Sequence, residues 1–174
     1  MTLSGLTIGL AVSRDEQGQA TATATITSTH VGHMFPTYPV PRVHVQLLCD
    51  EKPLGEEYVI GRKVDLPKSV EHWDRRLAPG QSYVMRRQFQ SGQLVTLRID
   101  VVPRDRYEKD LRIQLAAAQQ VPGHVFLGTV QRLLEHEMSL RYRLVDMSVP
   151  VPPEPGIVQR VLKEGRDVTN PANP

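Results

Sequence analysis

This chain is poor in the residues from which many functions are built. Its 174 residues include one cysteine, Cys49. That excludes, within this sequence, an intramolecular disulfide, a Cys-x-x-Cys metal pair and a Cys-x-x-Cys-His haem-attachment site. No run of about eighteen apolar residues occurs, so no helical membrane span is written in it. An excess of one charge is also missing: 21 basic residues face 19 acidic ones, a net charge of +2. Without a Lys/Arg block to track a phosphate backbone, nucleic acid is not the expected partner. The N-terminal stretch "MTLSGLTIGLAVSRDEQ" lacks both a basic segment and a small-residue cleavage site, so no signal peptide is expected in this chain. A GxSxG elbow, a glycine-rich phosphate loop and an HExxH motif are absent too, and the chain is expected not to be an enzyme.

What is present is period-two alternation. "LTIGLAVS" (6–13) and "ATATATITST" (20–29) alternate on either side of the polar turn "RDEQGQ", which reads as a hairpin. In "RVHVQLLC" (42–49), Val43, Val45 and Leu47 share one face, with His44, Gln46 and Leu48 on the other. "EEYVIGRKV", "SYVMRRQFQ" and "LVTLRIDVV" read as further strands, whereas "DLPKSVEHWDRRLAPGQ" has no clean period. Six or seven short strands with no helices between them predict a mainly β, antiparallel sandwich of the immunoglobulin-like kind; strand number alone leaves a barrel open.

The period changes after Pro103. Tyr107, Leu111, Leu115 and Ala118 fall at helical spacing, as do Phe126, Val130, Leu133, Leu134 and Met138 beyond Pro122-Gly123. A helical hairpin is expected, its apolar face docked on a sheet, followed by a returning strand in "LRYRLVDMSVPVP". The expected organisation is a sandwich over 1–103, the hairpin and returning strand packed on it over 104–149, and a proline-rich, extended and partly disordered tail over 150–174.

The chemistry-bearing stretch is "STHVGHMFPTYPVPRV" (28–43). His30 and His33, with His44 one strand on, are possible zinc ligands, but the sequence offers no evident fourth. The plainer reading is a stiff crossover: Gly32 supplies a positive φ or a close approach, Pro36, Pro39 and Pro41 withhold backbone donors, and Phe35 and Tyr38 pin the loop over the core. Of the remaining candidates, Trp73, flanked by His72 and Asp74, reads as a cap on the sandwich edge, and Glu135-His136-Glu137 as a solvated face. Cys49 reads as a small apolar strand-end residue, and Asp100 as a carboxylate facing water.

The stretch "TSTHVGHMFPT" resembles the T-N-x-G-x-G-H-x-F-P-T segment that opens a β-sandwich domain in extracytoplasmic multihaem c-type cytochromes of the cytochrome c554-like group. "PRVHVQLL", "VIGRKVDL", "WDRRLAPGQSYVMRRQF" and "LRIDVVPRDRYEKDL" resemble later segments of that domain in the same order, over roughly residues 5 to 149. His30 stands where the pattern has glycine and Ser28 where it has asparagine. The resemblance implies a periplasmic or extracellular, non-catalytic accessory or docking domain in electron transfer. Its partner would be a multihaem cytochrome c, or an upstream haem domain of the same protein. It implies no covalent cofactor of this chain's own and a haem contact in trans, with His33 near the haem or ligating its iron, in a loop shaped by Gly32, Phe35, Pro36 and Thr37. The alternative is a haem-free sandwich that binds carbohydrate, peptide or protein through Tyr38, Trp73 and Tyr83. A metal enzyme built on His30, His33 and His44 comes third.

Overall fold

The computed structural model of the chain describes residues 5–29, 32–37, 41–65, 68, 70–121, 123–163 and 166–167. His30 and Tyr38, both singled out in the sequence, lie outside the described residues. The strands are β1 (Leu6–Arg14), β2 (Ala20–Ser28), β3 (Arg42–Cys49), β4 (Lys52–Pro53), β5 (Tyr58–Ile60), β6 (Arg62–Asp65), β7 (Val70–Asp74), β8 (Ser82–Phe89) and β9 (Leu94–Val102). After them come helices α1 (Asp105–Gln119) and α2 (Leu127–Ser139), then β10 (Tyr142–Pro150), β11 (Gly156–Lys163) and β12 (Arg166–Asp167).

The alternation does what it predicts. Leu6, Ile8, Leu10 and Val12 of β1 and Ala20, Ala22, Ala24 and Ile26 of β2 are buried, while the threonines between them point outward. Two antiparallel sheets face each other across this core. One runs β12-β11-β1-β2-β8; the other runs β10-β9-β3-β4, with β5 also on β3. The second sheet contributes Val43, Val45, Leu47, Leu97, Ile99, Val145 and Met147. Because β2 pairs with β8, and β3 with β9 and β9 with β10, the strand connections cross between the sheets. The chain is therefore an antiparallel β-sandwich with immunoglobulin-like strand order.

Several local expectations change. The short Ser91–Gln93 link between β8 and β9 does not close a hairpin but carries the chain from one sheet to the other. Gly92 makes this possible at φ 146°, where any Cβ would collide with the sulfur of buried Cys49. "EEYVIGRKV" is two strands rather than one, broken at Gly61: β5 stays on β3, while β6 forms a separate two-stranded ribbon with β7. That ribbon gives structure to a stretch without a readable period. The proline-rich region is not simply a tail. Val151 bonds to the Gln93 carbonyl and Pro152 accepts from Arg14, so these residues bridge the sheets; β11 then pairs with β1 along its whole length. β11 escaped notice because "GIVQRVLK" carries an exposed, mixed pattern and follows four prolines in six residues.

The helices also sit differently from expectation. β10 pairs with β9 from Tyr142 opposite Val101 to Pro150 opposite Leu94, so the hairpin is an insertion between adjacent strands, and a boundary at 103/104 falls inside one sheet. Among the described residues the helices pack chiefly on each other, burying Ala118 and Leu134, and far less on a sheet; Ile113 (69% exposed) and Phe126 (64%) face solvent. What ties the hairpin down is charge. Glu108, only 4% exposed, accepts hydrogen bonds from Arg141 beside β10 and from Arg112 at 3.0 Å. Asp105 takes Lys109 at 2.8 Å and lies 3.5 Å from Arg42. Glu137, expected on a solvated face, pairs with Arg104 at 3.1 Å.

Burial alone would raise the Glu108 carboxyl; the hydrogen bonds from Arg141 and then Arg112 outweigh it and hold the group below its ordinary value. A carboxylate whose folded-state pKa is depressed contributes stability above its unfolded value, near 4.3, and loses it as pH falls through the folded value. Glu108→Gln should therefore cost about 1–3 kcal/mol at neutral pH, with the gap to the parent closing as denaturation is repeated at lower pH. A pH-independent gap would remove the ionised carboxylate from the explanation. Gly92→Ala, with nowhere to place its methyl group, should lower stability by about 2 kcal/mol or more in urea titration.

Candidate functional site

Three chain segments meet at one end of the sandwich: the loop between β2 and β3, the base of the helical hairpin, and the β6–β7 ribbon. Arg42 joins them. It opens β3 opposite Val102, the last residue of β9. Its guanidinium lies near Asp105 of α1 and 4.6 Å from the centre of the Trp73 ring on β7. Gly61 passes so close that a Cβ there would sit 3.0 Å from the Arg42 side chain.

The loop is pinned by backbone pairing. Phe35 N–H donates to the Leu77 carbonyl and Leu77 N–H to that of Phe35, each at 2.7 Å, and the Phe35 ring is buried. Pro36 follows through a cis peptide and is buried too. Gly32, expected to be needed for a positive φ or a close approach, shows neither; nothing stands within 4 Å of where its Cβ would be. His33 is exposed, with Nδ1 3.1 Å from the Met34 carbonyl and 3.0 Å from Thr37 Oγ1. Nδ1 donates to the Met34 carbonyl in one tautomer and accepts from the Thr37 hydroxyl in the other, and in the first the exposed Nε2 carries the lone pair.

His44 repeats this chemistry in a closed setting. On the outer face of β3, its Nδ1 meets Glu57 Oε1 at 3.0 Å, while Nε2 is buried with no hydrogen-bond partner among the described residues. It lines a shallow groove with Asp100, Arg141, Tyr142 and Arg143. Asp100, expected to be alone in water, accepts from Arg143 at 2.9 Å. Among the described residues no three His, Cys, Asp or Glu side chains converge in a way that could hold a metal, so His33 and His44 are not brought together with a third ligand.

The aromatic candidates are largely engaged. Tyr83 of β8 stacks on Tyr58 of β5 with centroids 3.9 Å apart and planes within 11°. Because β8 and β5 belong to opposite sheets, this stack clasps the open edge of the sandwich. Burial, then Tyr58, pushes the Tyr83 hydroxyl up, against the pull of nearby Arg87 and Arg75. Arg75 lies over two rings at once, 5.2 Å from the centre of Tyr58 and 5.0 Å from that of Trp73. Beside it, Asp74 accepts from Arg76 Nη2 at 2.6 Å, and hydrogen bonds from Arg76 hold its carboxyl below the usual range even though burial opposes this. Arg62 is taken by Glu71 at 2.6 Å. Arg42, Tyr58 and Arg75 were not singled out in the sequence. Most of their partners lie on other elements, for which linear spacing carries no signal; the exception is Trp73, two residues before Arg75.

No protein-family profile and no curated protein sequence matches the chain. Among solved structures it is similar to a penta-heme cytochrome c552 from Thermochromatium tepidum, with a TM-score of 0.57 and 11% identity over 84% of this chain and 40% of that one. At that identity the likeness is one of fold, and this chain spans well under half the cytochrome's length.

If the tyrosine stack clasps the two sheets, Tyr83→Ala should cost about 2–4 kcal/mol in chemical denaturation. Tyr83→Phe, which keeps the ring, should cost less than about 1 kcal/mol; equal losses from both would shift the burden to the hydroxyl.

Proposed function

We propose that this chain is a non-catalytic sandwich module of a multihaem cytochrome system outside the cytoplasm. It docks through its proline-loop end on a haem-bearing partner, or on a haem-bearing part of the same polypeptide. The observation that carries this reading is the placement of His33: an exposed imidazole whose Nδ1 is held between the Met34 carbonyl and Thr37 Oγ1, an orientation that in the Nδ1–H tautomer leaves Nε2 to take a metal. The fold shared with a penta-heme cytochrome and the order of the resembling segments support it. With one cysteine, this sequence attaches no haem by two thioethers; the fit is to one axial ligand offered in trans, where bound haem would supply the electron transfer. Thr37 and Met34 position the ring, and the Phe35–Leu77 pairing holds the loop that presents it.

A haem-free binding module is the second reading, favoured by the half-buried row of rings and guanidinium groups formed by Trp73, Arg75, Tyr58 and Tyr83. Isolation of the untagged protein from its host under mild conditions separates the two readings. The first expects a Soret-absorbing partner in stoichiometric amount, and His33→Ala should alter that partner's low-spin haem bands. A complex whose spectrum ignores His33→Ala would reduce His33 to a loop residue. A preparation with no Soret band would leave the second reading.

A further inference from the structure

We infer that Arg75 and the rings beneath it form a recognition site for a carboxylate on an acidic segment of a protein partner. Arg75 is exposed, yet its guanidinium lies over both Tyr58 and Trp73. Stacking on two rings immobilises a side chain that otherwise samples many rotamers, so little entropy remains to be lost when it binds. The guanidinium stands over both rings and makes no hydrogen bond among the described residues, which leaves its N–H groups for a carboxylate.

The local carboxylates are already used elsewhere. Glu71 pairs with Arg62 and Asp74 with Arg76, whereas the Arg75 side chain has no ion-pair or hydrogen-bond partner among the described residues. A second cation, Arg87, lies on the same strand as Tyr83, and it donates to the backbone carbonyls of Arg86 and Glu56 rather than to a carboxylate. Two guanidinium groups with no carboxylate partner among the described residues complement an anionic surface. The planar fork selects the planar carboxylate, and the chain as a whole lacks the basic run that a phosphate polymer requires.

This site is separate from the haem reading. Phe35 and Leu77 pair directly, and Arg75 and His33 each lie two residues away along the chain, so their Cα atoms are at most about 20 Å apart. Both features serve the same end of the molecule, but neither needs the other.

Trp73 is the sole tryptophan and stacks on Arg75, so it reports on the site directly. Titration of the whole chain with the peptide acetyl-Glu-Glu-Glu-amide at low ionic strength should change its emission saturably. Arg75→Ala should weaken binding at least ten-fold. Arg75→Lys, which keeps the charge but loses the fork, should recover only a minor part. Lys52→Ala and His33→Ala should bind as the parent does, the latter separating this site from the haem reading. Circular dichroism establishes that each variant is folded. The proposal is overturned if the peptide produces no saturable change, if Arg75→Lys binds as well as the parent, or if inorganic phosphate at equal charge competes as strongly as the peptide binds.

Discussion

Arg42 is the constraint on which this end of the molecule depends. It is 8% exposed, and burial pushes its guanidinium below its ordinary pKa, with Asp105 restoring only part of the difference. Its Nε has no hydrogen bond among the described residues, and the carboxylate at 3.5 Å makes an ion pair of loose geometry. A buried cation so incompletely met is a poor source of stability. It is better understood as a meeting point. The carboxylate comes from the helical insertion, the Trp73 ring from the β6–β7 ribbon, and the arginine itself from the strand that the proline loop feeds. Three segments thus meet at one side chain, in addition to the Phe35–Leu77 pairing of the loop and the Glu108–Arg141 tie of the hairpin.

That arrangement explains why the framework was readable and the site was not. Alternation in β1, β2 and β3 states which side chains face inward; the structure follows it through β1 and β2, while in β3 Arg42 and Leu48 of the opposite face are buried along with Val43, Val45 and Leu47. The helices were readable from their period, but their docking was not: α1 buries Asp105 and Glu108 where an apolar stripe was expected to do the anchoring. β11 was lost because its neighbours are prolines and most of its side chains are exposed. Of the candidate site, the pinning role of Phe35 was legible because a large ring among prolines has few other uses. Tyr58 and Arg75 were not, since their value comes from strands that the topology brings together across the sandwich edge.

The two histidines show how environment divides one chemistry. Each sets its Nδ1 against an oxygen, Met34 O and Thr37 Oγ1 for His33 and Glu57 Oε1 for His44. The first leaves its remaining nitrogen at the surface, whereas the second closes it off beneath neighbouring side chains. The arginines on and beside the ribbon divide in the same way. Arg62 and Arg76 are neutralised by their own strand partners, and Arg75, between them in sequence and set on rings, is not.

The pairing of β11 with β1 joins nearly the first and last described strands of the chain, with Thr7 opposite Lys163 and Arg14 opposite Gly156. β1 is made well before β11, and one row of its backbone donors and acceptors stays unpaired until some 140 further residues have followed. Closing so long a loop is costly in entropy and slow, so this pairing comes late. Nascent chains cut short before β11 would hold an open edge beside the threonine-rich face of β2, a template for pairing with other chains. In this fold β11 also acts as a seal on β1.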